Sequence, residues 1–147
     1  MTGRVLAVDV GTRRLGVAVS DPTGTVASPL ATVPRRTPAE DAQALGALAA
    51  EHAATTGVVG LPVTLAGREG PAAKAVRAWL AALAELLPSL DFRLADERLS
   101  TVAAERALVG GGVRRRARRE VVDQVAASVF LQTWLDAARQ GREDTGP

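Results

Sequence analysis

Residues 4–20 read Arg4-Val-Leu-Ala-Val-Asp9-Val10, Gly11-Thr-Arg-Arg14, Leu15-Gly16-Val-Ala-Val-Ser20. The first seven residues form an apolar run that ends beside an acid, which is the pattern of a buried strand. The next four form a glycine turn. Residues 15–20 read as a second strand, so the pair predicts a β-hairpin. Outward from it, residues 26–33 suggest a third strand, which Pro29 weakens unless it lies at an edge. Thr37-Pro38 reads as a helix cap followed by proline at the first helical position. That helix is expected to run to about residue 54, with Ala42, Leu45, Leu48 and Ala49 on its apolar face.

Residues 56–60 form a short apolar strand, and residues 61–70 a loop punctuated by Gly and Pro. A helix from Gly70-Pro71 to about residue 87 carries Val76, Leu80, Leu83 and Leu87 at helical spacing. Asp91 to Asp96 alternates Phe92 and Leu94 like a strand. Ser100 or Thr101 can cap a short helix to residue 108. Gly110-Gly-Gly and the arginines after it read as a basic loop, and a last helix spans about residues 118–139. The order β-β-β-α-β-α-β-α-α predicts a mixed α/β fold. An antiparallel β1–β2–β3 edge continues into parallel strands, five in all, with helices on both faces. A single domain is expected over residues 1–140, with a flexible tail at 141–147.

The chain of 147 residues has 47% apolar residues, enough for a core without covalent staples. It has no cysteine and one histidine, His52. Disulfide frameworks, zinc ribbons and thiol catalysis are excluded, and a Ser–His–Asp triad has little to work with. A bound metal would have to take oxygen ligands, which favours Mg²⁺ or Mn²⁺. No apolar run reaches the ~20 residues of a membrane span, and no signal-peptide pattern opens the chain, so a cytoplasmic protein is expected. The net charge is only +2, yet residues 98–119 hold seven Arg against the single acid Glu105.

Five constellations could carry chemistry. Asp9-Val-Gly11-Thr-Arg13-Arg-Leu-Gly16 sets a carboxylate at a strand end beside a tight turn. The same residues also suit an ordinary hairpin in which Asp9 accepts backbone N–H groups. Gly60-Leu-Pro62 through Gly67 and Gly70 runs from a strand end toward a helix N-terminus, where anions bind in α/β sheets; it is equally a plain βα loop. Asp96-Glu97-Arg98-Leu-Ser100-Thr101 closes a strand with two acids. Alternation puts Asp96 on the side of Phe92 and Leu94, and Glu97 on the other; a surface ion pair between Glu97 and Arg98 is the plainer reading. Asp123 shares a helix face with Ala126, Ala127, Phe130 and Trp134, so it points at the sheet. A carboxylate there needs a partner or a metal. Finally, Arg114, Arg115, Arg116, Arg118 and Arg119 could neutralise phosphates, although a charge run of this kind is often only a solvated surface. Acids at three element ends, with no Cys and no His among these motifs, suit two-metal phosphoryl transfer.

These four acidic and glycine motifs, in this order and over nearly the whole chain, resemble the YqgF/RuvX family of bacterial RNase H-like nucleases. That family is described as pre-16S rRNA nucleases or Holliday junction resolvases. The resemblance rests on Asp9-x-Gly-x-x-x-x-Gly16-Val-Ala, Gly60-Leu-Pro62 with Gly67-x-x-Gly70, Asp96-Glu-Arg-Leu-Ser-Thr101, and Asp123-x-x-Ala-Ala127 with Gln132. It implies an RNase H-like fold and a Mg²⁺- or Mn²⁺-dependent endonuclease whose acids are Asp9, Glu97 and Asp123, with Asp96 an alternative to Glu97. Arg13, Arg98, Arg114, Arg115 and Arg116 would hold substrate phosphates. Gly11, Gly60, Pro62, Ser100 and Thr101 would lie in the loops around the site. The expected substrate is the 5′ end of pre-16S ribosomal RNA, with ribosomal precursor particles as partners. Four-way DNA is the alternative, and a resolvase should be a homodimer where an RNA nuclease can be a monomer. An actin-like ATPase, which also opens with Asp-x-Gly, needs far more chain. A non-catalytic nucleic-acid binder gains nothing from acids facing phosphate.

Overall fold

The computed structural model describes residues 3–64, 66–97 and 115–144, with only the backbone for residues 115–122 and 142–144. Five strands are present: β1 (Arg4–Val10), β2 (Arg14–Ser20), β3 (Ala27–Pro34), β4 (Ala54–Leu61) and β5 (Asp91–Asp96). The described helices are α1 (Pro38–Glu51), α2 (Pro71–Leu86) and α3 (Arg115–Asp144). One sheet has the order β3-β2-β1-β4-β5, with β1–β2 and β2–β3 antiparallel and β1–β4 and β4–β5 parallel. This is the mixed sheet with an antiparallel edge that the element order predicts. Pro29 is tolerated because β3 is an edge strand, and the register with β2 slips between Val17 and Ala18, where Leu30 is the extra residue.

Strand alternation sorts the side chains onto two layers. Leu6, Val8, Leu15, Val17, Val19, Val59 and Leu61 pack under α1 and α2, together with Leu45, Val76, Trp79 and Leu83. Val5, Ala7, Ala18 and Val58 face the other way and pack against Ala127, Phe130, Leu131 and Leu135 of α3. Both faces are thus covered. Asp9, two residues beyond Ala7, belongs to the α3 face. Among the described residues, no helix is long and apolar enough to cross a membrane.

Several boundaries differ from the sequence reading. Helix α1 stops at Glu51, not 54, because Ala53 takes a left-handed conformation with φ 54°. Glycine usually marks that stop, and alanine gives no such cue. The helix start is as expected: Thr37 Oγ1 accepts the Glu40 N–H at 3.2 Å, ahead of Pro38. Helix α3 begins at Arg115, so most of the arginine run is helical rather than a loop. Arg and Ala are strong helix formers, and their charge says nothing against a helix. The same helix continues through Gly141 to Asp144, where a tail was expected from residue 141. The expected short helix at 100–108 and the Gly110-Gly-Gly segment lie outside the described residues.

A buried polar contact ties the α1/α2 layer together. Asp41 is 1% exposed. Its two oxygens accept the Trp79 indole N–H at 3.0 Å and the Arg36 backbone N–H at 2.8 Å. The apolar periodicity of α1 gives no warning of this acid.

Candidate nuclease site

The site forms at the C-terminal ends of the parallel strands, on the face covered by α3. Asp9 sits one residue before the end of β1. Glu97 directly follows β5, and Gly60 lies between them on β4. A Cβ at Gly60 would come 3.2 Å from the Glu97 Cβ and 3.7 Å from the Phe130 ring. Glycine therefore leaves the floor on which Glu97 rests. Glu97 reaches Asp9 from the face to which strand alternation assigns it.

The side chains of Asp9 and Glu97 lie within hydrogen-bonding reach of one another. Two carboxyls can bond only through a shared proton, so their titrations are linked. Glu97 is pushed up to about 7, first by burial, then by the charge of Asp9, by donating the bond to Asp9, and by the charge of Asp96. Asp9 is also raised, first by burial and then by the charge of Asp123; the bond from Glu97 partly offsets this. The pair thus retains a proton near neutrality, a state in which a divalent cation would compete with that proton.

Asp123 comes to the same place from α3. A Cβ at Gly16 would lie 2.1 Å from the Asp123 carbonyl oxygen, so only glycine lets the helix backbone lie directly on β2. The Asp123 carboxylate does not join the Asp9–Glu97 pair. It accepts the Arg14 Nε–H at 2.7 Å. Among the described residues, no three acidic or histidine side chains stand together as a ready-made metal cage. Two acids face each other, and the third is held by an arginine.

Arg14 is the residue the sequence reading passes over in favour of Arg13. The parity of Leu15, Val17 and Val19 contains the signal, because it places Arg14 with Gly16 and Ala18 on the α3 face. Gly11, Thr12, Arg13, Arg14 and Asp123 line an open cleft of ≈460 Å³. The turn is braced by the Gly11 N–H on the Arg14 carbonyl at 2.8 Å. It is also braced by Arg35, whose Nη1 donates to the Gly11 carbonyl at 2.9 Å and whose backbone N–H donates to the Arg13 carbonyl at 2.9 Å. Pro62 follows β4 and opens the loop to α2. Arg98, Ser100, Thr101 and Arg114 lie outside the described residues, and for Arg115 and Arg116 only the helical backbone is described. His52 lines a separate cavity with Gly3 and Arg4, at the opposite end of β1 from Asp9.

The sequence profile of the RuvX family, described as Holliday junction resolvase, matches residues 3–137. The chain belongs to the RuvX family. A protein of Myxococcus xanthus named "Putative pre-16S rRNA nuclease" is 47% identical over 144 residues, covering 98% of this chain and 95% of that one. A protein of the same name from Nocardia farcinica is 46% identical over 140 residues, covering 91% and 78%. Among solved structures, Thermus thermophilus RuvC in complex with a Holliday junction substrate superposes with a TM-score of 0.61 at 14% identity, covering 95% of this chain and 96% of that one. The fowlpox virus Holliday junction resolvase gives 0.51 at 10% identity, covering 91% and 99%. At these identities the structural likeness establishes the fold, which is that of RuvC and the RNase H-like nucleases. The family and the relatives agree on one activity class, nuclease.

Proposed function

We propose that this RuvX-family chain is a divalent-metal-dependent endonuclease that matures the 5′ end of pre-16S ribosomal RNA. The observation that carries the reading is the convergence of Asp9, Glu97 and Asp123 from the ends of β1 and β5 and from α3 onto one place beside Gly60 and Gly16. Crowded carboxylates of this kind are costly unless a cation is their intended partner. The donor set is oxygen only, which fits Mg²⁺ or Mn²⁺. Asp9, Glu97 and Asp123 would hold the metal, with Asp96 adding negative charge beside Glu97. When bound, such a cation supplies a Lewis acid at the scissile phosphate and a water of lowered pKa.

The chain's own residues then have distinct tasks. Glu97 gives up its proton near neutral pH, so the acidic cluster gains charge in the physiological range. Arg13 lines the cleft beside Asp123, and it would hold a backbone phosphate there. Arg98 and the arginines at 114–116 would extend that hold along the strand. The lone histidine lies at the other end of β1, which suits a reaction without a histidine base.

Four-way DNA is the second reading, favoured by the family's description and by the likeness to RuvC. The test is cleavage of a pre-16S 5′ fragment and of a synthetic four-way junction, each with Mg²⁺ and with EDTA, alongside Asp9→Asn. RNA trimming that needs Mg²⁺ and Asp9 supports the first reading. Paired symmetric nicks in the junction, with the RNA untouched, support the second. Equal cleavage by Asp9→Asn overturns both.

A further inference from the structure

We propose that Arg14 is a displaceable occupant of the cation site, leaving Asp123 for a substrate phosphate when a divalent cation arrives. The proposal rests on the metal-dependent reading above. Arg14 binds Asp123 through Nε alone, at 2.7 Å, with the two side chains 33% and 26% exposed. Among the described residues its two Nη groups have no partner. The contact is therefore one-sided, and Arg14 lines the open cleft together with Gly11, Thr12, Arg13 and Asp123.

The backbone on both sides of the contact is held. Arg14 pairs with Pro34 in the sheet, and its carbonyl accepts the Gly11 N–H. Asp123 is pressed onto β2 at Gly16 with no room for even a methyl group. An exchange of partners must therefore be made by side chains, and the longer one, Arg14, has the cleft to move into. A guanidinium on one oxygen of a carboxylate repels a divalent cation approaching the other. A phosphate in the cleft offers the guanidinium a bidentate partner in place of this single bond.

The consequence is a coupling between two ligands. A phosphate that draws Arg14 away bares Asp123 for the cation, and a cation on Asp123 frees Arg14 for phosphate. Linkage requires the two effects to be equal. The site then assembles fully only when metal and nucleic acid are both present, and the free chain is protected from idle metal loading.

The test measures Mn²⁺ binding to the full chain by titration calorimetry, with and without the oligonucleotide dT8, in the wild type, Arg14→Gln, Arg14→Lys and Asp9→Asn. Without dT8, Arg14→Gln should bind Mn²⁺ about tenfold more tightly than the wild type, the order expected for removing one unit charge beside a divalent ion at water-like screening. Arg14→Lys keeps the charge and should stay near the wild type. Adding dT8 should tighten Mn²⁺ binding in the wild type and leave Arg14→Gln unchanged. Mn²⁺ affinity that is equal or weaker in a folded Arg14→Gln means that Arg14 only buttresses Asp123, and the proposal is overturned. If that happens while the wild type binds Mn²⁺ and Asp9→Asn does not, the metal-dependent reading survives. If the wild type itself takes up no Mn²⁺, both fall together.

Discussion

Replacing Gly16 by Ala is the sharpest perturbation the fold offers. The added methyl carbon would lie 2.1 Å from the Asp123 carbonyl oxygen, 2.5 Å from its carbonyl carbon and 3.1 Å from its Cα. Ordinary contact begins near 3.4 Å, so α3 or β2 must give way by roughly 1 Å, on the scale of backbone shifts forced by overpacking. The obstacle is helix backbone, which cannot rotate aside as a side chain can. Inserting a methylene into a packed interface costs about 1–3 kcal/mol. For a chain of this length that corresponds to a fall in melting temperature of roughly 3–10 °C. The functional loss should exceed the stability loss, because the displaced atoms belong to Asp123 itself, and a misplacement of about 1 Å at a reacting centre can cost about 100-fold in rate. Gly141→Ala is the control: nothing lies within 4 Å of its Cβ position, and the residue is in α3. It should be neutral or stabilising by up to about 1 kcal/mol. Thermal melts and a nuclease assay on both variants decide the matter. Wild-type stability and activity in Gly16→Ala would refute the close approach of α3 to β2, and with it the placement of Asp123.

Glu97 is pushed from 4.5 up to about 7 in the fold, so without metal the native state binds more protons than the unfolded chain between those values. Its contribution to stability is fully present below pH 4.5 and is lost as pH rises through about 7. The full linkage is at most about 3 kcal/mol, and screening at this half-exposed group reduces it to about 1 kcal/mol. Melts from pH 4 to 8 should show the decline in the wild type and lose it in Glu97→Gln. Asp9→Asn should abolish cleavage, leave the metal-free fold intact or more stable, and return Glu97 toward its ordinary value; a large loss of metal-free stability would mark Asp9 as structural. Asp41→Ala should cost about 2 kcal/mol or more by leaving the buried Trp79 and Arg36 N–H groups unpaired, without touching Mn²⁺ binding; a melt at the wild-type temperature would contradict this. Replacing Arg114, Arg115 and Arg116 by Ala should weaken nucleic-acid binding alike across sequences and lower the salt slope by about 0.7–0.9 for each phosphate no longer neutralised. An unaltered slope would make the run a solvated surface.

Much of this protein is legible in its sequence because local rules govern it. Two apolar runs joined by the turn at Gly11 expose the hairpin, Thr37-Pro38 marks the start of α1, and the order of elements dictates a mixed sheet with both faces covered. The parity of Phe92 and Leu94 also puts Asp96 and Glu97 on opposite faces, but which of the two meets Asp9 stays open until the sheet is assembled. The helix boundaries at Ala53 and Arg115 escape because a left-handed alanine and a cationic helix have no distinctive composition. The state of the site escapes for a deeper reason. Whether three acids share a proton, repel, or pair with an arginine depends on distances between residues far apart in the chain, and no periodicity encodes those distances. Only the packing of α3 onto β2 at Gly16 sets Asp123 against Arg14 while Asp9 and Glu97 face each other. Sequence supplied the charges and the faces they occupy; the tertiary structure decided which charge neutralises which, because electrostatic pairing falls off over a few ångströms and those ångströms exist only once the sheet and its covering helix have formed.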